Sequence, residues 1–295
     1  MSKRKGIILS GGSGTRLYPA TESLSKQLIP IYDKPMIYYP LSVLMLADIQ
    51  DILVISTPRD LPIFKQLLKD GKQFGLNISY IVQKEPEGLA QAFHLGKEFL
   101  DGAPCTLILG DNLFFGHKLP TLLTQADQES SSTIFAYHVN EPERYGVVEF
   151  NKNKEVLSIV EKPKIAPSSY AVTGLYFYDQ NVCDYAASIQ KSPRGEYEIT
   201  DLNNIYLKNK SLKVTLLGRG HAWLDTGTHD SLLEASSFVQ TLEKRQGIKV
   251  SCPEEIAFRK KWITQDSLLQ SAERYRKNSY GQYLKKLAEG KIDVY

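Results

Sequence analysis

The sequence predicts an α/β fold, built on a mostly parallel β-sheet with helices on both faces. The first half of the chain alternates short apolar runs of strand length with longer segments of helical length. This alternation is typical of parallel sheets that are covered on both sides. Past residue 140 the apolar runs follow one another closely, with short polar breaks such as residues 151–154. That pattern is typical of antiparallel hairpins, so we expect a smaller antiparallel portion at about residues 140–180.

The elements are predicted in the following order. Strands are expected at residues 6–9, 51–57, 77–83, 105–109 and 132–139, then at 146–150, 156–160, 171–178 and 212–217, with a short apolar segment at 222–224. Helices are expected at residues 35–47, within 58–70, at 88–100, 119–128, 181–190, 199–208 and 229–246, and near the end at 264–277 and 279–288. We expect residues 1–246 to form the α/β portion and residues 247–295 a helical extension. The extension is expected to pack on the core, with a subunit interface or a small-molecule regulatory site as the alternative.

Single residues place some of the helix ends. Pro35 is expected at the first position of its helix, because proline is favoured there. Pro40 is expected to weaken the early part of the same helix. Thr264 or Asp266 is expected to cap the helix that ends near residue 277.

The composition argues against several functional classes. Hydrophobic residues make up 42% of the chain and charged residues 23%, which is ordinary for a globular protein. The formal net charge of +3 is too small to indicate a nucleic-acid partner. No apolar stretch approaches the roughly 20 residues that span a membrane, and the first apolar run is too short for a signal peptide. Three widely spaced cysteines, Cys105, Cys183 and Cys252, indicate neither a metal cluster nor a disulfide framework. We therefore expect a cytoplasmic protein.

A glycine-rich turn, Gly11-Gly12-Ser13-Gly14-Thr15-Arg16, directly follows the first predicted strand. Glycine allows positive φ angles and close approach of a ligand, and a turn rich in backbone N–H groups binds anions. Arg16 adds a planar donor fork suited to phosphate. The turn is not a P-loop, which needs Gly-Lys-Ser/Thr, and Leu17 stands where a dinucleotide fingerprint needs its third glycine. A polyphosphate site is therefore favoured over a plain tight turn.

Several further motifs accompany this turn. They read GGSGTRLYP at residues 11–19, SKQLIP at 25–30, DKPMI at 33–37, GDN at 110–112, EKP at 161–163 and WLDTG at 223–227. Together they resemble the sugar-phosphate nucleotidylyltransferases over nearly the whole chain, and within that family the members that use dTTP and glucose 1-phosphate. The resemblance implies a nucleotide-diphospho-sugar transferase fold with a Rossmann-like sheet. It also implies Mg²⁺-dependent formation of dTDP-glucose at the first step of dTDP-rhamnose synthesis, a homotetramer, and feedback inhibition by dTDP-rhamnose.

The resemblance also assigns the site residues. The expected catalytic residues are Arg16, Lys26, Asp111, Lys162 and Asp225. The nucleotide would be bound by Leu9, Gly11, Gly12, Ser13, Gly14, Thr15, Gln27, Gln83 and Gly88, together with Arg16, Lys26 and Asp111. The sugar phosphate would be bound by Asn112, Tyr145, Gly146, Glu161, Val172 and Arg194, together with Lys162.

Asp111 and Asp225 are the expected ligands of one Mg²⁺, a cation that is bound by one or two carboxylates plus phosphates and waters. Each of them ends an apolar, strand-like segment. Adjacent strands of one sheet would bring both carboxylates to the same rim.

The implied reaction is an in-line attack by the phosphate of the sugar on the α-phosphate of dTTP. Such a reaction depends on positioning and charge neutralisation, so it needs no general base. We accordingly interpret all five histidines as structural or surface residues and Trp223 as core packing. The alternatives are a uridylyltransferase, a relative that uses another base or sugar, and an inactive nucleotide-sugar-binding regulator. An NAD-linked oxidoreductase is disfavoured by the missing third glycine.

Overall fold

The computed structural model describes residues 3–12, 14–153 and 155–292 of the chain. Its strands are β1 Lys5–Ser10, β2 Pro30–Ile31, β3 Lys34–Pro35, β4 Asp51–Ser56, β5 Asn77–Val82, β6 Cys105–Leu109, β7 Asn112–Gly116, β8 Ser132–His138, β9 Gly146–Phe150, β10 Val156–Glu161, β11 Tyr170–Tyr178, β12 Leu212–Leu217 and β13 His221–Asp225. Its α-helices are α1 Tyr38–Leu46, α2 Leu61–Leu68, α3 Gln91–Leu95, α4 Lys97–Leu100, α5 Leu119–Gln128, α6 Val182–Ser188, α7 Ile199–Lys208, α8 His229–Gln246, α9 Pro253–Arg259, α10 Gln265–Arg274 and α11 Ser279–Ala288.

The main sheet has a parallel centre and a mixed edge. Strands β6, β1, β4 and β5 run parallel, in that spatial order. Beyond β6 lie β11, which is antiparallel to it, and then β8 and β12, which are parallel to each other. The antiparallel pair β9–β10 joins this sheet through the contact of Val147 with Ala171. The predicted α/β class, with its smaller antiparallel portion, is confirmed.

The central strands are apolar throughout because helices cover both faces of the sheet. On one face, Ile8 and Val54 pack with α1, α2, α5 and the C-terminal helices. On the other face, Ile7 and Leu53 pack with α3, α6 and α7. The helices α9, α10 and α11 contribute fully buried side chains to the first of these clusters, including Ala257, Leu268 and Leu284. The C-terminal segment therefore shares a core with the sheet.

Two helix predictions need correction. Helix α1 begins at Tyr38, since Pro35 lies in β3 and pairs with Pro30. Pro40 consequently lies in the first turn of α1, where a missing N–H removes no helical hydrogen bond. The helix expected over residues 88–100 starts only at Gln91 and is divided at Gly96 into α3 and α4.

Gly88 lies outside α3 because its φ is +100° and a Cβ on it would lie 2.5 Å from the Tyr197 carbonyl oxygen. Gly88 therefore makes a close backbone contact with Tyr197, which a helical conformation at this residue would break. The cap of α10 is Thr264, whose hydroxyl accepts a hydrogen bond from the Ser267 N–H at 3.2 Å. In the part of the chain that the structure describes, no helix combines the length and apolar character needed to cross a membrane.

Candidate active site

The largest collection of predicted site residues lines one cleft at the carboxyl ends of the parallel strands. Its volume is about 680 Å³. Gly11 follows β1, Gln83 follows β5, and Asp111 follows β6 after one intervening residue. In open α/β sheets ligands bind at this edge, because the loops there converge on one crevice.

Most of the predicted residues share this cleft. Those that line it are Leu9, Gly11, Gly12, Arg16, Lys26, Gln27, Gln83, Gly88, Asp111, Asn112, Tyr145, Gly146, Glu161, Lys162, Val172, Arg194 and Asp225. Gly14 and Thr15 are not among the lining residues, and Ser13 lies outside the described residues. The cleft is also lined by residues that the sequence analysis did not assign to the site, namely Pro86, Leu89, Leu109, Arg144, Gly174, Tyr176, Glu196, Glu198, Ile199, Thr200 and Trp223. The five histidines all fall within the described residues, and none of them lines the cleft.

The glycine turn after β1 has the backbone that its sequence predicts. Gly12 and Gly14 have φ angles of +98° and +63°, which favour glycine. Gly11 lies against Gln83, because a Cβ on Gly11 would overlap Gln83 Oε1 and would force that side chain to move. The carbonyl of Gly14 accepts a hydrogen bond from the Thr21 hydroxyl at 2.8 Å. The turn is therefore fixed on one side by Thr21 and pressed against Gln83 on the other.

Lys26 and Asp111 form an ion pair in the lining of the cleft. The Lys26 Nζ donates to Asp111 Oδ2, and the Asn112 side-chain amide donates to Asp111 Oδ1 at 3.0 Å. Burial alone would raise the pKa of Asp111, but the charge and hydrogen bond of Lys26 outweigh it, so the pKa of this carboxyl is lowered. Asp111 is thus an ionised carboxylate with both oxygens engaged.

Asp225 lies near Asp111, but it is carried there by a strand pair that the sequence analysis did not predict. It ends β13, which pairs antiparallel with β7 in a separate two-stranded sheet, with Asp225 opposite Asn112. The prediction that adjacent strands of one sheet carry Asp111 and Asp225 is therefore wrong. The two carboxylates still meet, because β7 begins directly after Asp111 and Thr226 donates its N–H and its hydroxyl to the Asp111 carbonyl oxygen at 3.2 and 2.7 Å.

The surroundings of Asp225 disfavour the ionised form of its carboxyl group. Burial and the neighbouring Asp111 carboxylate raise the pKa of Asp225, and Lys26 and Arg16 offset this only in part. A Cβ on Gly227 would lie 3.3 Å from Asp225 Oδ1 and 3.6 Å from the Arg16 Nη1. Arg16 is therefore placed next to this carboxylate, which explains its influence on the pKa.

The two carboxylates fit a magnesium ion. Two partly buried, mutually repelling carboxylates gain stability when a cation lies between them, and Mg²⁺ completes its shell with phosphate oxygens and waters. Among the described residues no group of three or more His, Cys, Asp or Glu side chains forms a metal site. The donor set therefore suits a cation that is also held by a phosphate ligand, rather than a metal enclosed by protein alone.

Another part of the cleft lining carries cations paired with acids. The Arg194 guanidinium donates to both carboxylate oxygens of Glu198, at 2.9 and 2.8 Å, and to Glu161 Oε1 at 3.4 Å. Thr200 donates its hydroxyl to Glu161 Oε2 at 2.6 Å. Lys162 is half exposed, lies 3.9 Å from Glu161 and has a φ of +40°, which is unusual for a side-chain-bearing residue. Such uncommon backbone angles cluster at functional sites.

Gln83 and Tyr145 offer neutral polar groups to the cleft. Gln83 is 2% exposed, and its side-chain amide donates to Gln91 Oε1 at 2.6 Å. Because an amide nitrogen carries two hydrogens, one N–H of Gln83 remains for a ligand. The Tyr145 hydroxyl donates to Asp225 Oδ2 at 3.4 Å, and burial followed by the Asp225 charge raises the pKa of Tyr145 to about 12.

Trp223 has a role that sequence reasoning missed. It is 7% exposed and packs in the core, as expected, but its indole N–H also donates to Asn112 Oδ1 at 2.6 Å. The sequence contains no signal for this contact, since the two residues are 111 positions apart.

Comparison with known proteins shows the family to which this chain is similar. A family model for nucleotidyl transferases matches residues 5–241. A glucose-1-phosphate thymidylyltransferase from Xanthomonas campestris is 58% identical over 98% of each chain. Its counterparts from Neisseria meningitidis and Mycolicibacterium smegmatis are 57% and 55% identical, over 96% and 97% of this chain and 99% of each of theirs.

Two solved structures have a fold similar to that of this chain. A Bacillus anthracis structure in complex with a sucrose, provisionally named glucose-1-phosphate thymidylyltransferase, has a TM-score of 0.76 at 37% identity. It covers 85% of this chain and 99% of its own. A UDP-glucose pyrophosphorylase with bound UDP-glucose has a TM-score of 0.72 at 24% identity, which shows likeness of fold alone.

The resemblance read from the sequence motifs is thereby confirmed. The family model spans far more than half of the chain, and relatives more than 50% identical cover nearly all of it. This chain belongs to the nucleotidyl transferase family.

Proposed function

We propose that this chain is a glucose-1-phosphate thymidylyltransferase, an enzyme that makes dTDP-glucose and pyrophosphate from dTTP and α-D-glucose 1-phosphate with Mg²⁺. A phosphate oxygen of the sugar phosphate forms a bond to the α-phosphorus of dTTP. The bond from that phosphorus to the β-phosphate oxygen breaks, and the electron pair leaves with pyrophosphate. The names of relatives more than 50% identical over nearly the whole chain support this activity.

One observation carries the mechanism. The glycine turn with Arg16, the ion pair of Lys26 and Asp111, and the cations Lys162 and Arg194 all line a single cleft. A triphosphate and a sugar phosphate are both anions, so bringing them together requires positive charge on both sides. Positioning and charge neutralisation account for most catalysis of phosphoryl-type transfer.

The triphosphate would lie against the glycine turn. The backbone N–H groups of the turn and the Arg16 guanidinium would hold its β- and γ-phosphates and the departing pyrophosphate. Lys26 would move its charge from Asp111 toward the triphosphate. Asp111 and Asp225 would hold Mg²⁺, which supplies neutralising charge at the phosphates when bound.

The sugar phosphate would lie against the wall of Lys162, Arg194 and Glu161. A phosphate monoester is largely ionised at neutral pH, with a second pKa of about 6, so it needs no base to become a nucleophile. This agrees with a cleft that no histidine of the described chain lines. Glu161, fixed by Thr200, is suited to accept hydrogen bonds from sugar hydroxyls.

The base would lie near Gln83 and Gly88, where Gln83 keeps one N–H for a pyrimidine edge. Leu89 offers the apolar contact that a thymine methyl would use. One methyl group is worth only about 1–3 kcal/mol in a pocket. A uridylyltransferase is therefore the alternative within the same chemistry.

The wider organisation of the enzyme belongs to the same proposal. It comprises a nucleotidyltransferase portion at residues 1–246, a helical extension at 247–295, a homotetramer in the cytoplasm, and feedback inhibition by dTDP-rhamnose. The family model ends at residue 241, ahead of the last helices, which supports the division. Light scattering coupled to size exclusion tests the assembly, and a monomeric mass would contradict it.

The activity is tested by pyrophosphate release, measured with each of four nucleoside triphosphates against several sugar 1-phosphates. We expect the highest kcat/KM with dTTP and glucose 1-phosphate, and no release without a divalent cation. Tight binding of dTDP-glucose without any turnover would instead indicate an inactive regulator. A preference for UTP would establish the uridylyltransferase alternative.

A further inference from the structure

A line of hydrogen bonds links Trp223 to the carboxylate of Asp111. The Trp223 Nε1 donates to Asn112 Oδ1 at 2.6 Å, and the backbone N–H of Gly174 donates to the same oxygen at 3.1 Å. The Asn112 Nδ2 donates in turn to Asp111 Oδ1 at 3.0 Å. Asn112 is 3% exposed and Trp223 is 7% exposed, so protein rather than solvent surrounds these contacts.

These bonds leave Asn112 a single orientation. A side-chain amide oxygen accepts two hydrogen bonds, and both come here from groups that can only donate, the indole of Trp223 and the N–H of Gly174. If the amide turned over, its NH₂ group would face those two donors and its oxygen would face Asp111 Oδ1. Buried polar groups left without partners are costly, so the amide nitrogen must point at Asp111.

Packing fixes the indole itself. The Trp223 ring contacts the rings of Tyr137 and Tyr145 edge-on, with centroids 6.2 and 5.2 Å apart. On the other side of the amide, a Cβ on Gly174 would lie 2.6 Å from Asn112 Oδ1. The donors that hold Asn112 are therefore rigid, and the backbone at residue 174 must be glycine for one of them to approach.

Asp111 needs such support because its other side-chain partner is a lysine. Lys26 holds Asp111 Oδ2, but its long side chain is the group that we expect to turn toward a triphosphate. The bond from Asn112 to Oδ1 does not depend on that movement. It keeps the carboxylate plane in place when the ion pair opens.

We propose that Trp223 is a positioning residue that acts through Asn112 to orient the Asp111 carboxylate for metal binding. This inference rests on the proposed function, in which Asp111 and Asp225 hold the cation. This role also limits the hydrogen bonds that Asn112 can donate to a sugar: one N–H remains for a sugar hydroxyl after the bond to Asp111.

The test is Trp223→Phe, which removes the N–H and keeps an aromatic ring. The matched control is Trp262→Phe, since Trp262 is the other tryptophan of the chain, packs against Gly75, and does not line the cleft. The probe is Mn²⁺ in the presence of a non-hydrolysable dTTP analogue, followed by electron paramagnetic resonance. We expect Trp223→Phe to raise the Mn²⁺ dissociation constant about 10-fold or more, since loss of an orienting partner typically costs 10–100-fold, and Trp262→Phe to leave it unchanged.

A double-mutant cycle with Asn112→Ala separates positioning from general packing. If Trp223 acts through Asn112, the double variant binds Mn²⁺ no more weakly than Asn112→Ala alone, because coupled residues are not additive. Additive losses would overturn the proposal. So would a Trp223→Phe variant with normal Mn²⁺ affinity and a raised KM for glucose 1-phosphate, which would mean that the indole serves the sugar alone.

If Trp223→Phe does not fold, Asn112→Ala tests the link through which Trp223 is proposed to act: weakened Mn²⁺ binding supports that link between Asn112 and Asp111, and unchanged binding overturns the proposal. Pyrophosphate release by the wild-type chain tests the proposed function separately. An active wild type with unchanged variants would therefore refute only the role of Trp223.

Discussion

Replacing Asp225 by asparagine should separate activity from stability in this protein. The substitution keeps the size and shape of the side chain and removes its charge. In the folded chain, burial and the Asp111 carboxylate raise the pKa of Asp225, and Lys26 and Arg16 compensate only in part. The folded chain therefore disfavours the ionised form of Asp225 relative to its protonated form.

The two expected effects have opposite signs. Turnover should fall about 10²–10³-fold, or about 2.7–4 kcal/mol, as when one preorganised contact to transition-state charge is removed. Stability should not fall. Because the folded-state pKa of Asp225 is raised, its ionised form destabilises the folded chain at neutral pH, above the range where the carboxyl is protonated. The asparagine variant should therefore unfold at the same temperature as wild type or at a higher one.

The assay is pyrophosphate release with dTTP and glucose 1-phosphate, paired with thermal unfolding of the same samples. Glu234→Gln provides the control, because it also removes one negative charge but lies exposed on α8 and does not line the cleft. Turnover by Asp225→Asn within a few-fold of wild type would refute the metal-binding role. A clear drop in its unfolding temperature would refute the electrostatic reasoning.

Three further predictions concern other parts of the chain. Gly11→Ala should raise the KM for dTTP about 10-fold in steady-state kinetics, because the new Cβ would displace the Gln83 side chain and relieving such an overlap costs about 1–3 kcal/mol. An unchanged KM would contradict the proposed contact of Gln83 with the base. Lys34→Met should lower the free energy of unfolding, measured in urea, by about 3 kcal/mol. The substitution breaks a buried ion pair, in which the Lys34 Nζ lies 3.2 Å from Glu243 Oε1. A loss below 1 kcal/mol would contradict this prediction. Burial raises the pKa of Glu254, so the contribution of this group to stability should decline as the pH rises above about 4.5 through its folded-state pKa. The difference in unfolding free energy between wild type and Glu254→Gln, measured in urea, should therefore shift against the wild type over that range. A difference that does not change with pH would count against a raised pKa.

Much of the fold could be predicted because its signals are local. A buried strand followed by three glycines within four residues marks the glycine turn, and parallel strands direct their following loops to one edge. Those two facts are enough to place Gly11, Gln83 and Asp111 together. The limits of helix α8 and of β6 match the sequence prediction, because the apolar pattern and the flanking residues agree there.

Strand β7 could not be predicted in the same way. Its five residues directly follow the turn at Asp111, and only pairing with β13, more than 100 positions later, makes them a strand. The same pairing places Asp225 beside Asp111, in a sheet separate from the one that the sequence suggested. Pro35 and Gly88 were misplaced because other contacts override helix preference there. Pro35 pairs with nearby Pro30 in a short hairpin, and Gly88 lies against the backbone of distant Tyr197.

By itself, the sequence determined the family, the α/β class, the glycine turn and the residue types of the cleft, because each is encoded in a short run or a repeating pattern. The tertiary structure alone decided which groups touch: Lys26 with Asp111, Thr200 with Glu161, and Trp223 with Asn112. The first and last of these contacts join residues 85 and 111 positions apart. Hydrogen bonds and ion pairs depend on distances of a few ångströms, and only the packing of the whole chain sets such distances between remote segments.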